Sequence, residues 1–145
     1  MSSGDAVTLG HLLARSWRTF SRLGQARFAA SGLPAARVRL LLSLKAAPDE
    51  MRMGDLARQL GVTARAMTPI TDRLEAEGLV ERVVDITDRR AFTLRLTEEG
   101  AIQAERFSRL EAEISEEIFA GLTGAQRRQL AELLAAFVAS TEERS

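Results

Sequence analysis

Between residues 55 and 97 the chain changes character five times with almost no connecting sequence, and that economy constrains the fold more than any other feature. Gly54 to Leu60, through Asp55-Leu56-Ala57-Arg58-Gln59, has the makings of a short helix, Gly61-Val62 of a tight turn, and Ala64 to Glu77 of a second helix ending at Gly78. Two short β-like segments follow, Leu79–Val84 and Phe92–Leu96, separated by a tip that carries Asp88, Arg89 and Arg90. Helices that cross at a tight turn need a small residue at the crossing, which Ala57 supplies. They also need a left-handed turn residue, which Gly61 adopts without a Cβ penalty. Val62, Met67, Ile70 and Leu74 are spaced to pin the second helix, and the Thr63 hydroxyl can cap it.

Long amphipathic segments flank this middle. Leu9, Leu13, Trp17, Phe20 and Phe28 recur at helical spacing over about residues 6 to 30. Pro34 is expected as the first residue of the next helix, whose apolar face is Val38, Leu41, Leu42 and Leu44 and which Ala47-Pro48-Asp49 closes. A long helix starting at Thr97-Glu98-Glu99 carries Ile102, Phe107, Leu110, Ile114 and Ile118. Thr123 and Gln126 form a capping box for the last helix, with its stripe of Leu130, Leu133, Leu134, Phe137 and Val138. The expected fold is mainly α with a small β wing. A winged helix-turn-helix core over residues 34–97 is flanked by an N-terminal helix (1–33) and C-terminal helices (98–145). The flanking helices have little middle to cover, so they are expected to pack on each other and on a second copy, as dimerisation helices.

With the apolar pins turned inward, the second helix of the motif offers Ala64, Arg65, Thr68, Pro69, Thr71, Asp72 and Arg73 to solvent or to a ligand. Arginine at a helix N-terminal turn can meet guanine O6 and N7 with both guanidinium nitrogens. Thr63, Thr68 and Thr71 can meet phosphates or thymine methyls. Phe92, Leu94 and Leu96 alternate with Thr93 and Arg95, so one hairpin face should be buried and the other wet. Two adjacent arginines at a protruding tip add little stability, whereas such a side chain can enter a narrow A·T-rich minor groove. Double-stranded DNA is the expected partner.

The chain resembles the MarR family of regulators. The resemblance rests on Leu56-Ala57, Leu60-Gly61-Val62, Leu74-Glu75, Gly78-Leu79-Val80, Arg82, Asp88-Arg89-Arg90 and Leu94-Arg95-Leu96-Thr97-Glu98-Glu99-Gly100. It implies a roughly triangular homodimer with a recognition helix in each of two successive major grooves and a wing in each flanking minor groove. Thr63, Arg65, Thr68 and Arg73 then lie on the DNA-facing helix, Arg90 is the minor-groove arginine, and Asp88 orients it. Members of the family mostly repress, and many release DNA when a small aromatic molecule binds. His11, Trp17 and Phe20 are the candidate residues for such an effector pocket. His11 reads first as a partly buried histidine at a subunit contact, with a ligand or pH-sensing role as the alternative, and Trp17 and Phe20 read more often as core or interface than as pocket. Pro69, inside the recognition helix, departs from the family pattern, since it removes a backbone hydrogen bond and clashes with the preceding turn.

Composition removes other classes of function. The chain has no cysteine and one histidine, so thiolate chemistry and histidine metal clusters are out of reach, and no metal or cofactor is expected. No phosphate-binding glycine loop or nucleophile elbow is present, so an enzyme is not expected. No apolar run approaches the roughly 18 residues that span a bilayer. The first five residues lack the basic and apolar parts of a signal peptide, so a cytoplasmic location is expected. Net charge is zero, yet residues 98–145 hold ten acidic and five basic groups while residues 1–50 hold three and seven. That asymmetry permits a local basic face. The alternative to DNA binding is a winged-helix adaptor for protein partners. Acidic or apolar residues at positions 65, 89 and 90 would mark it, and all three are arginine here.

Overall fold

The computed structural model describes residues 3–47, 49–88 and 91–142; Pro48, Arg89 and Arg90 lie outside the described residues. The chain divides into two compact units, one up to Glu111 and the other from Ala112. The helices are α1 (Ser3–Ala29), α2 (Ala35–Ala46), α3 (Met53–Leu60), α4 (Ala64–Ala76), α5 (Glu98–Ile118) and α6 (Gly124–Glu142). Strands β1 (Met51–Arg52), β2 (Val80–Val84) and β3 (Phe92–Leu96) form one antiparallel sheet in the order β1-β3-β2. The mainly helical chain with a small β wing is the expected fold class.

The core of the first unit is assembled by the motif itself. Leu40 and Leu41 of α2, Leu56 of α3, Met67 and Leu74 of α4, Leu94 of β3 and Phe107 of α5 are all fully or almost fully buried. Each contributes about 2 kcal/mol of apolar transfer free energy. Ala57 is buried where α3 meets α4, and Gly61 follows α3 with φ 66°, the left-handed geometry expected of it. Thr63 caps α4: its Oγ1 accepts from the Ala66 amide at 3.1 Å. Phe28, near the end of α1, packs on this core with its ring 6.5 Å from that of Phe107.

Thr97 fixes where α5 starts. Its hydroxyl donates to the Gly78 carbonyl at 2.6 Å and accepts from the Gly100 amide at 3.0 Å, while its own amide donates to the Leu79 carbonyl at 3.2 Å. One side chain thus caps α5 and ties its first turn to the turn between α4 and β2. In the second unit, Thr123 and Gln126 make the reciprocal capping box, at 2.9 and 3.3 Å. Arg127 closes the preceding turn by donating to the Phe119 and Leu122 carbonyls and pairing with Glu116 at 2.7 Å.

Several expectations need correction. Pro34 is the N-cap of α2, in extended geometry, and not its first helical residue. Strand β1 was not foreseen; two residues are too short to show alternation, and only pairing with β3 (Met51↔Leu94, Arg52↔Thr93) defines it. The hairpin does not divide cleanly into a buried and a wet face, because Thr93 is buried and Phe92 is 44% exposed. The Thr93 hydroxyl is satisfied by the Val83 carbonyl at 3.3 Å, and Phe92, at the distal end opposite Val84, lies past the end of the core. Ile102 is exposed on α5 rather than part of its inward stripe.

The terminal helices leave most of their apolar residues uncovered. On α1, Val7, Leu9, Leu12, Leu13, Trp17, Phe20 and Leu23 are exposed, and on α6 Leu133, Leu134, Phe137 and Val138 are. No residue of α6 is buried. No described helix is long and apolar enough to cross a membrane.

Candidate nucleic-acid interface

Burial sorts the residues of α4 into two sets. Met67, Thr71 and Leu74 face the core; Ala64, Arg65, Thr68, Pro69, Asp72 and Arg73 face outward. Thr71, expected outside, is fully buried and its hydroxyl reaches the Met53 sulfur at 3.8 Å. It sits four residues after Met67 and three before Leu74, which places it on their side of the helix. Thr71 is therefore unavailable to a ligand of the outer face.

The outer face begins at the capped N-terminus, where backbone amides and the helix dipole favour an anion. Arg65 lies in that first turn, exposed and without an ion-pair partner among the described residues. Thr68, one turn on, is exposed, its hydroxyl 3.5 Å from the Ala64 carbonyl. Helix α4 continues through Pro69 to Ala76. Pro69 has no N–H to give the Arg65 carbonyl, and its exposure leaves that acceptor on the side open to solvent.

The C-terminal half of α4 is bound in an ion-pair network. Arg73 donates to Glu77 Oε1 at 2.9 Å, and Arg37 of α2 donates to the same oxygen at 2.8 Å. Slight burial pushes the Glu77 carboxyl up, but the hydrogen bonds and charges of Arg73 and Arg37 outweigh it and hold the group below its ordinary value. Arg82 of β2 reaches back to Asp72 in a short contact and to Glu75 at 3.2 Å. The Asp72 hydrogen bond raises the Arg82 pKa above its ordinary value, and the charges of Asp72 and Glu75 add to it. Strand β2 is thereby fastened to the helix that carries Arg65.

At the far end of β2, Asp85 organises the way into the hairpin tip. Its Oδ1 accepts from the Thr87 hydroxyl at 2.6 Å and the Thr87 amide at 2.9 Å, and its Oδ2 accepts from Arg52 at 2.6 Å. The Thr87 hydroxyl, then its amide, then the Arg52 charge hold this carboxyl below its usual range. The chain closes again where the Ala91 amide donates to the Asp88 carbonyl at 2.9 Å. Asp88 is exposed at the tip; Arg89 and Arg90, expected beside it, lie outside the described residues.

Of the expected site residues, Thr63, Arg65, Thr68 and Arg73 come together on one exposed face of α4 and its cap, and Asp88 belongs to the separate wing. His11, Trp17 and Phe20 are exposed on α1, where the Trp17 and Phe20 rings stack 6.3 Å apart. Arg37, Arg52, Glu77 and Asp85 were given no role from sequence. The Arg73–Glu77 spacing of four and the Asp85-x-Thr87 turn were legible signals for two of them. Among the described residues, no cluster of acidic or histidine side chains could hold a metal ion.

A family model described as the MarR family matches residues 31–91. The chain is 30% identical over 107 residues to the uncharacterised HTH-type transcriptional regulator YdgJ of Bacillus subtilis, covering 74% of this chain and 65% of that one. It thus spans slightly less than two-thirds of that relative. It is 28% identical over 134 residues to the HTH-type transcriptional repressor Rv2887 of Mycobacterium tuberculosis, covering 92% and 96% of the two chains. Among solved structures, a cysteine-to-serine mutant of MarR from E. coli complexed with operator DNA superimposes with a TM-score of 0.77 at 27% identity, covering 92% and 95%.

Proposed function

We propose that the chain, similar to the MarR family over residues 31–91 and to MarR complexed with operator DNA over most of its length, is a homodimeric transcriptional repressor of that family that reads an inverted-repeat DNA operator. Helix α4 enters the major groove, with Thr63, Arg65, Thr68 and Arg73 toward the DNA. The wing enters the adjoining minor groove through Arg90, with Arg89 beside it and Asp88 orienting the guanidinium. The observation that carries this reading is the position of Arg65, a cation without an ion-pair partner among the described residues at the capped N-terminus of a helix anchored on its other sides. A guanidinium with no ion-pair partner among the described residues, next to amides that favour phosphate, suits a polyanion whose bases also present acceptors.

The second copy is proposed from the terminal helices. Long stretches of α1 and α6 leave Leu9, Trp17, Leu133 and Phe137 exposed, an apolar extent that a soluble chain normally covers. Residues 1–33 and 98–145 are accordingly the proposed dimerisation regions. Two recognition helices related by a twofold axis read half-sites about one helical turn apart. A small aromatic effector is proposed to act near His11, Trp17 and Phe20, where the exposed Trp17–Phe20 stack offers an aromatic surface. The chemistry is binding, with no catalytic step, and the proposed location is the cytoplasm.

Selection of duplexes from a randomised pool by the full chain, followed by gel shifts, tests the reading. An enriched inverted repeat, bound with an affinity that falls steeply with salt, is the expected result. Recovery of no sequence at low salt would overturn it. Undiminished operator binding by Arg90→Ala would overturn the wing assignment.

A further inference from the structure

Arg52 occupies an unusual crossing point. Its backbone is the last residue of β1 and the N-cap of α3, so it belongs at once to the sheet and to the first helix of the helix-turn-helix. Its side chain leaves that position for Asp85, just past the end of β2. Because β3 lies between β1 and β2, the guanidinium spans the middle strand to reach its partner. Its register neighbour there is Thr93, buried and bonded to Val83.

Asp85 is equally placed at a junction. It follows Val84, which forms the last β2–β3 pair with Phe92. Its amide still donates to the Ala91 carbonyl at 3.1 Å, and one carboxylate oxygen holds the Thr87 turn. The other oxygen is given to Arg52. The Asp85 side chain is only 13% exposed, whereas that of Arg52 is 55% exposed. Beyond this point the hairpin has no core beneath it: Ile86 is almost wholly exposed, and Val84 and Phe92 are about half exposed. Past the Arg82 contacts to α4, the Arg52–Asp85 pair braces the base of the wing laterally, and an error in its direction grows toward the tip.

We propose that Arg52 is a positioning residue for operator reading: by strapping Asp85 to the start of α3, it fixes the direction of the wing relative to the recognition helix without itself touching DNA. This rests on the operator-reading function proposed above. Exposed ion pairs stabilise a fold little, so the strap acts on where the tip points more than on whether the domain folds. Arg52→Ala leaves the backbone pairing of β1 intact and removes only the strap. Asp85→Asn keeps an oxygen to accept from Thr87 but loses the charge that holds Arg52.

The test uses the full chain and the duplex selected above, made in two forms whose minor-groove flanks are A·T-rich or G·C-rich. Wild type should prefer the A·T-rich form. Arg52→Ala and Asp85→Asn should each weaken binding to that form by about fivefold, a differential typical of an ion pair near a surface. Binding to the G·C-rich form should be nearly unchanged, and the thermal midpoint should stay within about 4 °C of wild type. The double variant should be no worse than either single one, because both remove the same strap. Retention of the wild-type flank preference by Arg52→Ala would overturn the proposal. So would additive losses in the double variant, or a loss equal on both duplexes. If the wild type binds neither duplex, the operator-reading function fails, and that outcome is separate from a wild type that binds while Arg52→Ala matches it.

Discussion

Gly100 packs against the backbone of Leu79 with no room for a side chain: a Cβ there would lie 2.8 Å from the Leu79 carbonyl carbon and closer still to its oxygen. The contact joins the first turn of α5 to the entry of β2, where Thr97 also binds Gly78 and Leu79. Both partners are main chain, so neither can rotate away. Gly100→Ala should destabilise the fold by about 3 kcal/mol, the cost of a methyl forced into a filled site. Urea unfolding should show a lower midpoint at unchanged slope. A midpoint equal to wild type would mean that α5 can shift freely over the wing.

On the proposed reading, Glu77 competes with DNA for Arg73. The carboxylate holds Arg73 and Arg37 on one oxygen, so a phosphate approaching Arg73 must displace it. Glu77→Ala should tighten binding to duplex DNA at low salt. It should also steepen the dependence of log K on log salt by about 0.9, the release of counterions by one further phosphate contact. Fluorescence anisotropy titrations across a salt series would measure both. An unchanged slope would show that Arg73 stays off the backbone even when freed.

Arg65 makes a separable contribution. Its side chain is exposed, with no ion-pair partner among the described residues, so Arg65→Ala should leave the unfolding midpoint unchanged. Operator affinity should drop by roughly 10- to 100-fold, and selectivity should relax at a single base pair of each half-site. Repeating the selection with the variant would read this directly. A uniform loss across sequences would reassign Arg65 to a phosphate.

The acid limb of stability has a defined origin. Glu77 and Asp85 titrate below their ordinary values of 4.5 and 3.8. Carboxyls depressed on folding stabilise fully above the unfolded value and lose that contribution as pH falls through the folded one. Wild type should therefore be more stable than a Glu77→Gln/Asp85→Asn variant at pH 6, and the gap should close on the way to pH 3. Thermal midpoints at half-unit pH steps would follow it. A gap that widened toward acid would reverse the assignment.

The sequence carried the motif well because its signals are local. Gly61, the Thr63 cap, the Phe92–Leu96 strand and the Thr123–Gln126 box each depend on residues within four positions, and all appear as expected. What escaped depends on distant partners. Strand β1 exists only because β3 lies beside it, and Arg37 meets Glu77 across forty positions. Thr71 lies inward because its phase on the helix outweighs its polarity; one hydroxyl can be buried when a sulfur accepts from it. The same locality explains why the outward position of Arg65 on α4 follows from the sequence, while the pairing of Arg52 with a partner thirty-three residues away does not.

The uncovered apolar length of α1 and α6 has a bearing on dosage. If pairing is what shields Trp17 and Phe137, active repressor is a second-order product of its own synthesis. Below the pairing constant, halving the number of chains then removes about three-quarters of the pairs. Modest changes in expression would become disproportionate changes in promoter occupancy, a threshold set by mass action without any ligand.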